Sequence, residues 1–232
     1  MRSSTWRALG NTYLLVEPSG TPLDDSRARE VAGATDGIVE VVSVDGNRLA
    51  VRIWNPDGSL AELSGNGTRI AAAWYEARSG APEVSVAVGD RVTHARVLDD
   101  GRIEQELGDV VVGPAEIVAG VSVVPVSVGN PHAVVVGDPS EITDVGPLLE
   151  THERFPDRTN VQIVHVDGPG EVTARVWERG VGETPSSGTS AVAVAAATHA
   201  EGEVLVHFPG GDLLVRLENG RATLFGTAER VD

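Results

Sequence analysis

The sequence contains no cysteine. Disulfides, thiolate nucleophiles, iron–sulfur clusters and Cys-ligated zinc are therefore excluded, and the redox compartment cannot be read. It contains no lysine either: all 18 basic residues are Arg. A pyridoxal-phosphate enzyme needs a Lys to form its Schiff base, so that chemistry is excluded too. No apolar run approaches the length of about 18 residues that a transmembrane helix requires. Aromatic residues make up only 4% of the chain.

Positive charge is also scarce. The 232 residues carry a formal net charge of -16. Such a surface repels phosphate backbones and anionic headgroups, so neither nucleic acid nor membrane is an expected partner. The opening residues lead directly into patterned sequence with no signal-type apolar region, which gives an expectation of a cytoplasmic protein. Hydrophobic residues at 41% and charged residues at 22% are ordinary for a soluble globular chain. The length suits one large domain or two small ones.

Most of the sequence reads as short Val-rich strands bounded by Gly, Asp and Pro, from 38–44 through 222–225. Asp99-Asp100-Gly101 and Glu218-Asn219-Gly220 read as hairpin turns. Two segments read strongly as helix: Gly67–Arg78 and Gly188–Ala200. Both are Ala-rich and apolar through their middle turns, so each is expected to be buried. Each is entered through a polar Ser-Gly step, Ser64-Gly65-Asn66-Gly67 or Ser186-Ser187-Gly188-Thr189, and the two steps lie about half a chain apart. The expectation is α+β: two pseudo-symmetric lobes, each a curled, mostly antiparallel sheet around a central helix. The expected N-terminal lobe is 1–110, joined by the last strands at about 218–232; the C-terminal lobe is 111–217.

Ser, Gly and Asn at a helix start act locally as caps. The same end offers backbone N–H groups and the positive end of a dipole to an anion, and Gly lets the anion approach. Two such ends facing one another would hold one carboxylate, with Ser64 and Ser187 flanking the neighbouring carbon. That arrangement suits moving a proton from one face of the carbon to the other.

The chain resembles the diaminopimelate epimerases over nearly its whole length. The resemblance runs through Leu9-Gly10-Asn11, WNPDGSLAELSGNGTRIAAAW (54–74), GNPHAVV (129–135) and GPLLETHERFPDRTNVQIV (146–164). It continues through WERGVGETPSSGTSAVAVAAA (177–197) and FPGG (208–211). It implies the two-lobe fold and a cofactor-independent epimerase of lysine and peptidoglycan biosynthesis, with no metal. The family uses one cysteine per lobe as its two proton-transfer groups; the matching positions here are Ser64 and Ser187. The resemblance implies that His132 and Glu178 assist those groups. It implies substrate contacts from Asn11, Asn55, Gly65, Asn66, Asn130, Asn160, Glu178, Arg179, Gly188 and Thr189. Arg179 would take the distal carboxylate and Glu178 the distal ammonium. The expected partner is a small amino acid of the diaminopimelate type; a homodimer stays open.

Three readings stand at this stage. The serines act as weak bases, or as replacements that retain a bound substrate. A different reaction runs on the same fold, as in the proline racemase and phenazine isomerase groups. Or the site binds an amino acid without turning it over. Asp57 and Asp36 read as turn residues, and His152, His199 and His207 as surface or packing residues without metal spacing.

Overall fold

The computed structural model describes residues 2–61 and 64–232; Glu62 and Leu63, inside the 54–74 motif, lie outside the described residues. The chain forms two compact units: residues 1–106 with 225–232, and residues 107–224.

The first unit is built on a ladder of hairpins joined by parallel steps. β1 (Ser3–Ala8) and β2 (Asn11–Val16) pair antiparallel. A short helix, α1 (Asp25–Ala32), leads to β3 (Gly37–Asp45), parallel to β2. β4 (Arg48–Trp54) returns antiparallel to β3. α2 (Gly65–Ser79) then crosses to β5 (Glu83–Val88), parallel to β4. β6 (Arg91–Val97) and β7 (Arg102–Asp109) continue antiparallel. A parallel step cannot be closed by a tight turn, so each requires a crossover, and helices supply both.

The second unit opens with β8 (Val111–Val112) and β9 (Glu116–Val118), both paired to β10 (Val121–Ser127). It then repeats the first unit's order. β10 pairs antiparallel with β11 (Pro131–Val136), and α3 (Ile142–Glu150) leads to the parallel strand β12 (Asn160–Gly168). β13 (Glu171–Glu178) returns antiparallel, with β14 (Gly182–Thr184) on its edge. α4 (Gly188–Thr198) crosses to β15 (Gly202–Phe208), parallel to β13. β16 (Gly211–Glu218) and β17 (Arg221–Thr227) follow; the closing residues belong to the first unit again, where β18 (Glu229–Arg230) pairs with β1. The register slips at Val41/Ser43 in β3 and, two residues later relative to the repeat, at Val166/Gly168 in β12. Such bulges kink the strand locally and add to its twist.

α2 and α4 are the cores of their units. Residues 65–75 of α2 and 188–195 of α4 are all buried. Runs of Ala let strands approach both helices from several sides. The entrance of α2 is tight: a Cβ on Gly67 would lie 2.8 Å from Ile53 Cδ1, so the Ile53 side chain would have to shift. The fold class is thus the one expected, α+β with a buried helix in each unit.

Two helices were not expected. α1 is short and strongly polar, and it is held by its cap: Asp24 Oδ1 accepts from Arg27 N at 2.8 Å. α3 carries Pro147, which argues against helix in sequence. Tertiary packing decides the matter, because Ile142 and Leu149 are fully buried. β1 and β2 were also not singled out. Their mixed polarity hides the alternation, although Trp6, Ala8 and Leu15 enter the core.

Candidate active site

In the first unit Ser64 stands at the N-cap of α2 with extended backbone. Its Oγ accepts from Gly67 N at 3.0 Å, and its carbonyl accepts from Thr68 N and from Thr68 Oγ1, each at 2.9 Å. The capping reading is therefore correct for Ser64. The cap consumes the Gly67 amide. The amides of Gly65 and Asn66, one turn too early for an intrahelical acceptor, project from the same end. Tyr13, from β2, brings its Oη to 3.4 Å from Ser64 Oγ.

Below this turn lies a buried polar cluster. Arg69 is fully buried and bonds to Asn66 Oδ1 and, at 3.1 Å, to Gln105 Oε1. Gln105 Nε2 in turn donates to Thr68 Oγ1 at 2.7 Å. No carboxylate pairs with Arg69 among the described residues, and its Nε lacks a partner. Burial lowers this guanidinium to about 10, an unusual depression for Arg. Asn66 is thus bound to the helix base by its side chain and keeps its amide at the helix end. Asn11 is buried at the start of β2. Asn55 closes the turn after β4, with Nδ2 donating to Ser59 Oγ at 2.9 Å. Asp57 and Asp36 are turn acceptors, for Ser59 N at 2.9 Å and for Thr12 N at 2.7 Å.

In the second unit Ser187 holds the equivalent N-cap place on α4, but its side chain makes no cap bond. Glu178 neighbours the Ser187 side chain, and its Oε1 accepts from Thr184 Oγ1 at 2.6 Å. Burial pushes the Glu178 carboxyl up; the bonds from Thr184 and Ser187 pull it back in part. Gly188 and Thr189 are the first buried residues of α4, and Thr189 Oγ1 accepts from Asn130 Nδ2 at 3.4 Å.

Asn130 begins a relay through the core. His132 Nε2 lies 3.0 Å from Asn130 Oδ1, and His132 Nδ1 lies 3.0 Å from Gln162 Nε2. The same Gln162 Nε2 donates to Ser190 Oγ at 2.9 Å. An amide nitrogen can only donate, so Nδ1 is the acceptor and Nε2–H faces Asn130. Burial, with the nearby charge of Arg179 adding to it, drives the imidazole down to about 3, so it is neutral. His132 therefore orients Asn130 and, through it, the first turn of α4.

Two bonds fix the turn that carries Arg179. Asn160 Oδ1 accepts from Arg179 N at 3.0 Å, while Asn160 Nδ2 donates to Pro131 O at 2.9 Å. Glu150, at the end of α3, accepts from Gly180 N at 2.8 Å, from Trp177 Nε1 at 2.8 Å and from Arg158 Nη1 at 3.4 Å. α3 rides directly on Trp177: a Cβ on Gly146 would lie 2.7 Å from Trp177 Cβ. The Arg179 guanidinium reaches Asp157 O at 3.3 Å. No group of three or more His, Asp or Glu with metal-binding geometry occurs among the described residues.

The structure thus gathers Ser64, Gly65 and Asn66 at one helix entrance. It gathers Asn130, His132, Asn160, Glu178, Arg179, Ser187, Gly188 and Thr189 around the other. Sequence reading missed Tyr13, Arg69, Glu150, Gln162 and Thr184. Arg69 and Gln162 did leave a signal: each is a polar residue inside an apolar run, TRIAAAW and VQIV.

The family model for diaminopimelate epimerase matches residues 124–231. A diaminopimelate epimerase of Desulforudis audaxviator is 37% identical, the match covering 100% of this chain and 97% of the relative. The diaminopimelate epimerase of Desulfitobacterium hafniense is 33% identical over 96% of this chain and 93% of its own. Among solved structures, a predicted epimerase from Pseudomonas aeruginosa superposes with a TM-score of 0.79 at 17% identity, covering 100% of this chain and 97% of that one. At that identity the likeness speaks for the fold alone. The sequence matches carry more, and by them this chain belongs to the diaminopimelate epimerase family.

Proposed function

We propose that the protein is an isomerase that epimerises diaminopimelate at an α-carbon without pyridoxal phosphate. The observation that carries the reading is the match, across the whole chain, to relatives named for that activity. The proline racemase and phenazine isomerase alternatives have only likenesses of fold, at 13–14% identity.

The chemistry follows from the two helix entrances. Each unit offers backbone N–H donors to a carboxylate at its own helix entrance, Gly65 and Asn66 in the first and Gly188 and Thr189 in the second. Charge that develops on that carboxylate as the α-proton leaves is stabilised by the same donors. By the family resemblance, Ser187 and Ser64 occupy the two proton-transfer positions. Ser187 receives the proton while its own moves to Glu178, which a raised affinity for protons suits to the task. Arg179 holds the distal carboxylate, with Asn11, Asn55, Asn130 and Asn160 completing the grip.

Serine makes both bases weak. A thiol ionises at about 8.5, whereas a hydroxyl lies nearer water, at about 15.7. Incubating LL-diaminopimelate with the protein and separating stereoisomers tests the reading. Accumulation of the meso form supports it. Unchanged LL substrate after prolonged incubation of folded protein refutes it.

A further inference from the structure

Ser64 and Ser187 do not have the same neighbours. The Ser187 hydroxyl has a carboxylate, Glu178. Ser64 has no carboxylate partner among the described residues. Its neighbours are the Gly67 amide, which its Oγ accepts from at 3.0 Å, and the Tyr13 phenol, 3.4 Å away. Either hydroxyl can be the donor in the Ser64–Tyr13 contact; with Tyr13 as phenolate, Ser64 O–H is the donor.

We propose that Tyr13 is the positioning and proton-accepting partner of Ser64, completing on the first unit's side what Glu178 completes for Ser187. The inference rests on the epimerase reading above.

Three features support it. The ring is built into place: a Cβ on Gly37 would lie 2.8 Å from Tyr13 Cε1, so only Gly at that position leaves room for the ring. Gly37 and Trp6, the strand partners of Tyr13, are uncharged. Arg69 of α2, which is fully buried, is a charged group that acts on Tyr13. Negative charge on Tyr13 favours protonated Arg69, and the coupling is mutual, so the guanidinium favours phenolate over phenol.

The step balances. The substrate C–H bond breaks and its proton forms a new O–H bond on Ser64 Oγ. The former Ser64 proton moves to the Tyr13 phenolate. The electron pair left on carbon delocalises into the substrate carboxylate. Exchange with solvent returns Tyr13 to phenolate, which in deuterated water leaves a label on the substrate. The 3.4 Å separation is long for a hydrogen bond, as such contacts are before substrate tightens them.

The test is a mutant cycle read by α-deuterium incorporation into meso-diaminopimelate in deuterated water, with binding followed by calorimetry. Tyr13→Phe keeps the ring over Gly37 and removes only the hydroxyl. It should lower kcat for exchange about 100-fold or more, with KM changed little. In a Ser64→Cys background the same substitution should cost less than about 10-fold, because a thiol ionises without a relay. Replacing the two tyrosines with 3-fluorotyrosine should move the low-pH limb of the exchange profile to lower pH, and this reads the phenol without removing it. Tyr13→Phe exchanging at the parent rate, an equal loss in both backgrounds, or an unmoved limb would overturn the proposal. So would a parent that binds meso-diaminopimelate and incorporates no deuterium. A folded parent that does not bind it overturns the epimerase reading, and the relay with it.

Discussion

Replacing Ser64 and Ser187 together by Cys separates the chemistry of the bases from everything else in the site. The difference in acidity between thiol and hydroxyl is at least roughly 5 units, or about 7 kcal/mol at 1.36 kcal/mol per unit. Full expression of that in the barrier would be on the order of 10⁵-fold. Partial proton transfer in the transition state, and help from Glu178 and Tyr13, reduce the expected gain to about 10³–10⁴-fold. The two positions should differ in stability. Ser64 Oγ caps α2 through Gly67 N, and sulfur is a poor acceptor, so Ser64→Cys should cost about 1 kcal/mol. Ser187 makes no cap bond, so its replacement should leave stability nearly unchanged. They should differ in rate too, because the Glu178 carboxylate beside position 187 opposes a thiolate there. Steady-state epimerisation by the parent, both single variants and the double decides the matter, with urea unfolding for stability. Each single variant should speed exchange on its own face more than inversion. A double variant that folds and binds ligand yet stays as slow as the parent would refute the reasoning.

Other consequences follow from particular contacts. Arg179→Lys should weaken diaminopimelate binding at least about 10-fold by calorimetry, because an ammonium cannot offer the planar two-pronged contact to a carboxylate; unchanged affinity removes Arg179 from the site. Glu150→Gln should raise KM more than it lowers kcat, since Glu150 fixes the Arg179 turn through Gly180 N without a role in proton transfer; equal effects on both would contradict that. His132 and His207 should shape stability in opposite directions of pH. His132 is depressed from 6.5 to about 3, so the unfolded chain binds the extra proton. The stability it confers is complete above 6.5 and lost as pH falls toward 3, on the order of 5 kcal/mol in full. His207 is raised by bonds to Asp212 and Glu171, so its contribution is present below 6.5 and lost as pH rises through its folded value. Urea unfolding across pH should show both slopes, and His207→Gln should flatten only the alkaline one.

Much of this was legible in the sequence for physical reasons. The Ala-rich runs after Ser64 and Ser187 marked the two buried crossover helices, since a helix apolar all round has nowhere to go but inside. The hairpin at Asn219 was equally plain: Asn219 and Gly220 both adopt positive φ. α3 was hidden by Pro147, and α1 by its polarity; both helices exist because parallel strand steps require a crossover. Among candidate site residues, repeated motif blocks pointed to the Ser, Asn and Glu-Arg positions. Their supports did not appear, because Glu150, Gln162 and Tyr13 reach their partners across strand pairs and crossovers far apart in sequence. The capping preference of Ser is a local rule, and it holds at Ser64. It fails at Ser187, whose side chain makes no cap bond and has the Glu178 carboxyl as neighbour.

The central claim is that two serine hydroxyls, each backed by a protein acceptor, invert an α-carbon of diaminopimelate. The direct measurement is mass spectrometry combined with stereoisomer separation after incubating LL-diaminopimelate in deuterated water with the parent protein. The account predicts slow appearance of the meso form carrying a single deuterium at the inverted carbon. Recovery of LL-diaminopimelate with no deuterium, from protein shown by calorimetry to bind it, would contradict the account.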